Sequence, residues 1–245
     1  MAGSALRRGL MIGSAFFVAI LIAGIVGGAV VIVNASSAPP SPEPFVKAYL
    51  DDVARGDAEA ARAIDSGTEE EVVAANGGRV DATTFLSADA LRSASERISD
   101  VRIEASEVYG RSGAQVTASY ELAGERREVL VFLRWDEQQD GWALKSGLFN
   151  RISVMGGVNG PDDSLPFALG GVGSTDAPVV TPGTVEFLVY PGVYDFALNV
   201  SSDVLTDPAS IPTELVQGPA PDRFAETVYV QLNRALEPAD LIGTP

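Results

Sequence analysis

The sequence contains no cysteine and no histidine. Without cysteine, the chain can form no disulfide, no thiolate nucleophile and no structural zinc site of the usual kind. Without histidine, it has no imidazole metal ligand, no imidazole general base and no Ser-His-Asp triad. Because these absences remove most familiar catalytic arrangements, we expect a protein that is not an enzyme. We expect no catalytic residue, no metal site and no cofactor.

Lysine is scarce as well, since only Lys47 and Lys145 accompany 15 arginines. This bias is typical of GC-rich coding sequences and points to a bacterial source. The 33 acidic residues outnumber the 17 basic ones and give a formal net charge of −16. Phosphate binding requires clustered lysine and arginine, so we expect no nucleic-acid partner. Hydrophobic residues make up 46% of the chain, which is enough for a folded core.

The longest uncharged run is Leu10–Val33, with 24 residues. At about 1.5 Å per residue, a helix of this length spans a bilayer core of about 30 Å. The run is longer than the apolar core of a cleavable signal peptide, which has about 7–15 residues. Arg7 and Arg8 precede it, so the positive-inside rule places residues 1–9 in the cytoplasm. The sequence thus predicts a signal-anchor: a single-pass transmembrane helix in the cell membrane, with an extracellular C-terminal ectodomain.

The rest of the chain divides by composition into three segments. Residues 34–44 are rich in serine and proline and predict a semi-rigid stalk. Residues 45–149 combine helical and alternating patterns, whereas residues 150–245 are rich in glycine and proline and contain short alternating stretches. The expected fold class is α+β: the transmembrane helix, a cone-like domain of helices plus an antiparallel meander, and a small all-β domain.

Local patterns place the elements of the cone-like domain. Apolar residues recur at helical spacing over Phe45–Ile64, and Gly56 is expected to end the first of two helices there. Ser87 is a candidate N-cap for a third helix. From Val101 to Leu144 the apolar residues alternate in four stretches separated by turn residues, which predicts four antiparallel strands. In the last segment, Pro191 and Gly192 predict a tight turn in which the glycine adopts a positive φ.

The order of a helical hairpin followed by a curved meander resembles the nuclear transport factor 2-like and cystatin-like folds. The residues that carry the resemblance are Phe45–Ile64, with the hinge Arg55-Gly56-Asp57-Ala58, and the strand Asp140–Leu144. The resemblance covers about residues 42–148. Many bacterial membrane-anchored proteins of unknown function begin in this way. The resemblance therefore implies an architecture but no activity.

Four aromatic residues are candidates for the lining of a pocket inside the cone: Tyr109, Tyr120, Trp135 and Trp142. The alternative is that they pack in the core.

These observations predict a non-catalytic, membrane-anchored, extracytoplasmic protein that binds or senses a component of the bacterial envelope. Its expected partners are the membrane, through Leu10–Val33, and an envelope protein or a cell-wall component. One alternative is a structural or assembly subunit, which would expose a large apolar patch. A second alternative is a hydrolase that uses carboxylates alone, which requires two carboxylates about 5–10 Å apart in a cleft.

Overall fold

The computed structural model describes most of the chain between residues 39 and 242. The described ranges are 39–65, 83–145, 147–160, 163–174, 185–218 and 226–242. Ser41–Pro245 form one compact unit, which holds both of the segments predicted as separate domains. The predicted cytoplasmic segment 1–9 and the segment Leu10–Val33 lie outside the described residues, as does most of the predicted stalk.

The prediction of a single-pass membrane protein requires correction. No helix in the described ranges is long and apolar enough to cross a membrane. The longest helix with defined bounds, Glu43–Arg55, has 13 residues, whereas a transmembrane helix needs about 20. The structure therefore does not support a transmembrane helix or signal-anchor, nor a cell-membrane location with a cytoplasmic N-terminus and an extracellular ectodomain. The run on which that prediction rested is not among the described residues.

Three α-helices are described. Helix α1 (Glu43–Arg55) ends at Gly56, whose φ of 77° allows its N–H to bond back to carbonyl groups of the last turn. Helix α2 covers residues 58–65, and helix α3 is Ala88–Ser93. The side chain of Ser87 accepts a hydrogen bond from the third residue beyond it, as an N-cap does. The predicted end of α1 and the predicted cap of α3 are both confirmed.

The predicted α+β fold class is wrong, because thirteen strands and only three α-helices are present in the described residues. The strands are β1 (Glu96–Arg97), β2 (Ser99–Val108), β3 (Ala114–Leu122), β4 (Glu125–Asp136), β5 (Gly141–Leu144), β6 (Asn150–Gly157), β7 (Asp163–Ser164), β8 (Phe167–Leu169), β9 (Val172–Gly173), β10 (Phe187–Val189), β11 (Gly192–Leu198), β12 (Glu214–Gln217) and β13 (Glu226–Gln231). The chain is mainly β on both sides of residue 150.

Strands β2 to β5 form an antiparallel sheet in sequence order, as the alternating pattern predicts. The hairpin between β3 and β4 turns at Ala123 and Gly124, whose φ values of 55° and 72° match the primed turns that suit twisted strands. One face of the sheet is buried, as Val116, Ala118 and Tyr120 of β3 show. Helix α1 contacts β2 and covers part of this sheet.

Strand β11 pairs with strands from both halves of the chain. It pairs with β1 and β8 on the path β1-β11-β8-β9, and β12 pairs with it as well. A further sheet has the order β10-β6-β13, in which β6 and β13 run parallel and β7 pairs with β6. Because β1 precedes the β2–β5 meander in sequence, its pairing with β11 joins the first half of the chain to the second.

Two hydrophobic cores cross the predicted boundary at residue 150. The core beneath β2–β5 contains Leu188, Tyr190 and Val193 from the second half. The other core, built mainly from later strands, contains Phe85 and Ala90 from the first half. This overturns the expected arrangement of a cone-like domain followed by a small all-β domain, because each core needs side chains from both segments.

Gly192 does not adopt the positive φ predicted for it. It is the first residue of β11 and pairs with Arg97 on one side and Gln217 on the other. A Cβ atom at this position would lie 3.0 Å from the ring of Tyr194. A side chain here would crowd the ring of Tyr194, which glycine avoids.

Candidate functional site

The structure brings two of the four predicted pocket residues together. Trp135 and Trp142 lie directly opposite each other in β4 and β5, with ring centroids 5.2 Å apart and planes at 88°. This edge-to-face arrangement is a favourable packing geometry. The guanidinium of Arg111 lies 5.9 Å from the ring centroid of Trp135, within the range of a cation–π contact.

The other two predicted pocket residues lie elsewhere. Tyr109 follows β2, is exposed, and donates a hydrogen bond of 2.6 Å to the side chain of Glu107. Tyr120 is completely buried in the middle of β3. The predicted set therefore divides between a tryptophan pair, an exposed residue and a core residue.

The outward face of the β2–β5 sheet carries exposed apolar side chains. Along β4, Val131 and Leu133 are buried, whereas the alternate residues Leu130 and Phe132 remain 47% and 36% exposed. Their direct neighbours on β3 are Thr117 and Gln115, which are small or uncharged. We call this surface the outer sheet face. It is a partly apolar patch on the solvent side of a sheet.

Three cations lie at one end of the β2–β5 sheet. Arg111 is in the connection between β2 and β3, Arg134 follows Leu133 on β4, and Lys145 follows β5 and donates its N–H to the carbonyl of Phe132. Within the described part of the chain, none of the three forms an ion pair or a side-chain hydrogen bond. We call these three residues the basic end.

Two carboxylates close in sequence to the basic end have other partners. Glu107 accepts the hydrogen bond of the Tyr109 hydroxyl. Asp136 accepts from the backbone N–H groups of Gln138 and Gln139 in the turn after β4. The charges of Arg134 and Lys145 are therefore left for solvent or for a partner molecule, whereas Arg111 also contacts the ring of Trp135.

The opposite end of the same sheet is electrically neutralised by ion pairs. Arg126 pairs with Asp100 and, at 3.0 Å, with Glu121, and it also donates to the hydroxyl of Ser119 at 3.0 Å. Arg102 lies 2.6 Å from Asp100. Hydrogen bonds from Arg102, and then from Arg126, lower the pKa of Asp100. Only one end of the sheet thus presents cations without a carboxylate partner.

A buried carboxylate lies where the helices meet the second half of the chain. Asp65, the last described residue of α2, is 1% exposed and accepts hydrogen bonds from Tyr49 at 2.8 Å and Tyr190 at 3.1 Å. The hydroxyl of Tyr49 in turn accepts from the N–H of Leu148 at 2.6 Å. Burial, followed by the negative charge of Asp65, raises the pKa of Tyr49, so its hydroxyl keeps its proton and remains a donor.

A second buried aspartate closes the C-terminal segment. Both oxygens of Asp240 accept from the guanidinium of Arg234, at 2.6 and 2.7 Å, and the N–H of Glu237 donates to it at 2.7 Å. The hydrogen bonds from Arg234, and then the backbone bond, lower the pKa of Asp240. Both buried carboxylates of the described chain are therefore engaged in hydrogen bonds, Asp65 between distant segments and Asp240 within the C-terminal one.

Three buried donors of the β2–β5 sheet are unsatisfied in the described residues: the Nε1 of Trp135, and a pair that lies on neighbouring strands. Tyr120 and Arg127 are direct cross-strand neighbours on β3 and β4. The hydroxyl of Tyr120 and the Nε of Arg127 are buried and have no hydrogen-bond partner in the part of the chain that the structure describes. Burial raises the pKa of Tyr120, although the charge of Arg127 acts in the opposite direction, so the phenol stays protonated.

Sequence reasoning could have found part of this site. Once Val129, Val131 and Leu133 are assigned to one face of β4, alternation places Leu130 and Phe132 on the other face. The strand assignment therefore already implied an apolar outer sheet face. Nothing local marks Asp65 or Arg127, because their environments depend on residues far away in sequence. Among the described residues, no group of three acidic side chains could hold a metal ion.

Comparison with known proteins gives no match of any kind: no family model, no curated protein and no solved structure is similar to this chain. The resemblance to nuclear transport factor 2-like and cystatin-like folds therefore gains no support from relatives. A function must be argued from the geometry alone.

Proposed function

We propose that this chain is a non-catalytic binding protein that recognises an acidic, partly apolar segment of another protein through the outer sheet face. The observation that carries this proposal is the position of two exposed apolar residues, Leu130 and Phe132, beside a basic end without carboxylate partners. The apolar residues supply contact area, and the cations supply the sign of charge that the partner must carry.

The apolar contribution comes from removing the two side chains from water. Burying apolar surface releases about 25 cal/mol per Å², and a fully buried leucine or phenylalanine contributes about 1.5–3 kcal/mol. Leu130 and Phe132 are two residues apart on one strand, so both can contact one partner segment. Exposed apolar side chains bordered by polar residues are typical of protein interaction surfaces.

The charge contribution is local. The chain as a whole carries a net charge of −16, so its cations have many carboxylates with which they could pair. Arg126 and Arg234 do pair in this way, yet Arg111, Arg134 and Lys145 do not. Beyond about 8–10 Å the charges are screened at physiological salt, so the basic end acts on a docked partner at short range. The preferred partner is therefore acidic where it meets this end.

The arrangement of the buried acids supports binding rather than catalysis. A carboxylate-only hydrolase needs one carboxylic acid and one carboxylate facing a common cleft. Asp65 instead accepts from two tyrosines, and Asp240 is held by Arg234 and a backbone N–H. Asp65 thus connects distant segments of the fold, and Asp240 holds the C-terminal segment in place.

The test uses a fluorescent peptide of alternating glutamate and leucine as the probe, with a lysine–leucine peptide of the same length for comparison. Fluorescence anisotropy should show binding of the acidic peptide only. Reversing two charges of the basic end in the double variant Arg134→Glu/Lys145→Glu should weaken binding by at least about tenfold, since buried or close charge pairs are worth 1 kcal/mol or more. The change Phe132→Ser should weaken it as well.

The matched control is the double variant Lys47→Glu/Arg55→Glu, which reverses the same number of charges on exposed residues of α1. It should keep the affinity of the unaltered protein. Equal binding of both peptides, or full affinity in Arg134→Glu/Lys145→Glu, would contradict the proposal. Sedimentation velocity tests whether a second copy of this chain covers the face instead. In that case the unaltered protein would form a dimer and the Phe132→Ser variant would not.

A further inference from the structure

We infer that Tyr120 and Arg127 form the inner end of a small site that binds a carboxylate group. This site lies on the inward face of the β2–β5 sheet and uses residues that play no part in the proposed peptide binding. A test of this site is therefore independent of the tests of peptide binding at the outer sheet face.

The two donors are held close together by the strand register. Tyr120 pairs with Arg127, and the neighbouring pair Ser119 with Glu128 continues the same antiparallel register. Residues directly opposite each other in such a pair have Cβ atoms about 4.5–5.5 Å apart and point to the same face. The hydroxyl and the guanidinium can therefore reach one common ligand atom or one common ligand group.

Both groups lack the partner that a buried donor requires. Buried polar atoms are almost always hydrogen-bonded, and one left unsatisfied is unfavourable by about the full cost of its desolvation. The Tyr120 hydroxyl and the Arg127 Nε–H are both buried without a partner in the described ranges. A protonated phenol and a guanidinium N–H both donate, so the missing group must accept.

The charge at the site favours a single negative charge on that acceptor. Arg127 has one carboxylate neighbour, Glu125, at 3.3 Å, and the Glu125 side chain is 73% exposed. An exposed pair of this kind contributes little, so much of the Arg127 charge remains available to a ligand. A carboxylate offers two oxygens to the two donors, whereas a phosphate dianion would add repulsion from Glu125.

The site is fixed in position and borders on solvent. The guanidinium packs against Gly218, where an added Cβ would lie only 2.1 Å from Nη1. The absence of a side chain at Gly218 therefore lets Arg127 lie against the main chain. The Arg127 side chain is 28% exposed, whereas its Nε and the Tyr120 hydroxyl are themselves buried. A small ligand must therefore enter beside the exposed part of the Arg127 side chain and displace its neighbours to reach the two donors.

The experiment titrates the full-length protein with sodium formate and follows the side-chain Nε–Hε signal of Arg127 by NMR, with chloride at equal ionic strength as the reference salt. We expect a saturable shift with formate and none with chloride. For a ligand with so few atoms, the Kd should be about 1 mM or weaker.

Variants show whether the two donors bind the probe. Tyr120→Phe should raise the Kd for formate by about tenfold. Arg127→Lys, which keeps the charge but lacks Nε–H, should do the same, and its titration is followed through the backbone N–H signal of residue 127. Tyr194→Phe is the matched control, because Tyr194 is also a buried tyrosine but its hydroxyl already donates to the carbonyl of Tyr190. It should leave the Kd unchanged.

The proposal is overturned if formate and chloride shift the signal equally, or if Tyr120→Phe binds formate as well as the unaltered protein does. Thermal unfolding without formate gives an independent check. Tyr120→Phe should unfold at the same temperature or higher, because it removes an unsatisfied hydroxyl. A clear loss of stability would show that the hydroxyl already has a partner, and the inference would fail. Neither result bears on peptide binding by the outer sheet face.

Discussion

The hydroxyl groups of Tyr49 and Tyr190 meet at one atom, Oδ2 of Asp65, at distances of 2.8 and 3.1 Å. Tyr49 lies on α1, whereas Tyr190 lies between β10 and β11 in the second half of the chain. One buried carboxylate thus fixes the helices against the later strands. The hydroxyl of Tyr49 also accepts a hydrogen bond, from the N–H of Leu148.

The two hydrogen bonds of Tyr49 predict a large cost for Tyr49→Phe. Loss of the bond to the charged Asp65 should lower the free energy of unfolding by about 1.5–3 kcal/mol. The Leu148 N–H is left unsatisfied as well, which should add about 1–3 kcal/mol. Urea denaturation measures the total. A cost below about 1.5 kcal/mol would show that neither bond contributes as expected.

A second prediction concerns the space beside Gly192. Gly192→Ala places a Cβ atom 3.0 Å from the buried ring of Tyr194 and should destabilise the protein by about 1–3 kcal/mol through overpacking. Gly141→Ala is the control, since its Cβ would lie 3.7 Å from the carbonyl oxygen of Gln139, an ordinary contact. That change should be neutral or stabilising by up to about 1 kcal/mol. If both variants melt alike, the ring of Tyr194 moves aside without cost.

A third prediction concerns pH and the Arg234–Asp240 pair. The folded-state pKa of Asp240 is lowered below its unfolded value, which is about 3.9. Its contribution to stability is therefore fully present above about pH 4 and is lost as the pH falls through the folded-state pKa. The melting temperature of Asp240→Asn should lie below that of the unaltered protein at pH 7, and the difference should shrink steadily below about pH 4. A difference that stays constant down to about pH 2 would rule out this linkage.

The sequence predicts those parts of the fold that depend on neighbouring residues. Alternation along β2–β5, the helix end at Gly56 and the cap at Ser87 are local signals, and each is present in the structure. The pairing of β1 with β11 has no such signal. Strand β1 has two residues, too few to show a period, and its partner lies almost a hundred residues away. The α+β, two-domain expectation failed because it treated each half as closing its own core.

The candidate sites, too, can be predicted from the sequence only where the signal is local. The outward position of Leu130 and Phe132 follows from the period of β4, and the scarcity of lysine makes Lys145 conspicuous. The unsatisfied donors of Tyr120 and Arg127 could not be predicted in this way. Whether a donor has a hydrogen-bond partner depends on all the groups that surround it in the fold. Tyr120 is a candidate from sequence only as an aromatic residue, whereas its hydroxyl is the group that matters in the structure.

The exchange of residues between the two cores also sets the order in which the protein can fold. The N–H of Ser95 donates to the carbonyl of Val193, 98 residues further along the chain. A contact between residues so far apart closes a large loop, and the chain loses conformational entropy before the contact becomes favourable. Such contacts therefore slow folding. During synthesis the chain is made from its N-terminus, and helix α3 and strand β1 emerge long before β11 exists. The first hundred residues must therefore wait, with Phe85 and Ala90 exposed, until the strand that completes both cores has left the ribosome.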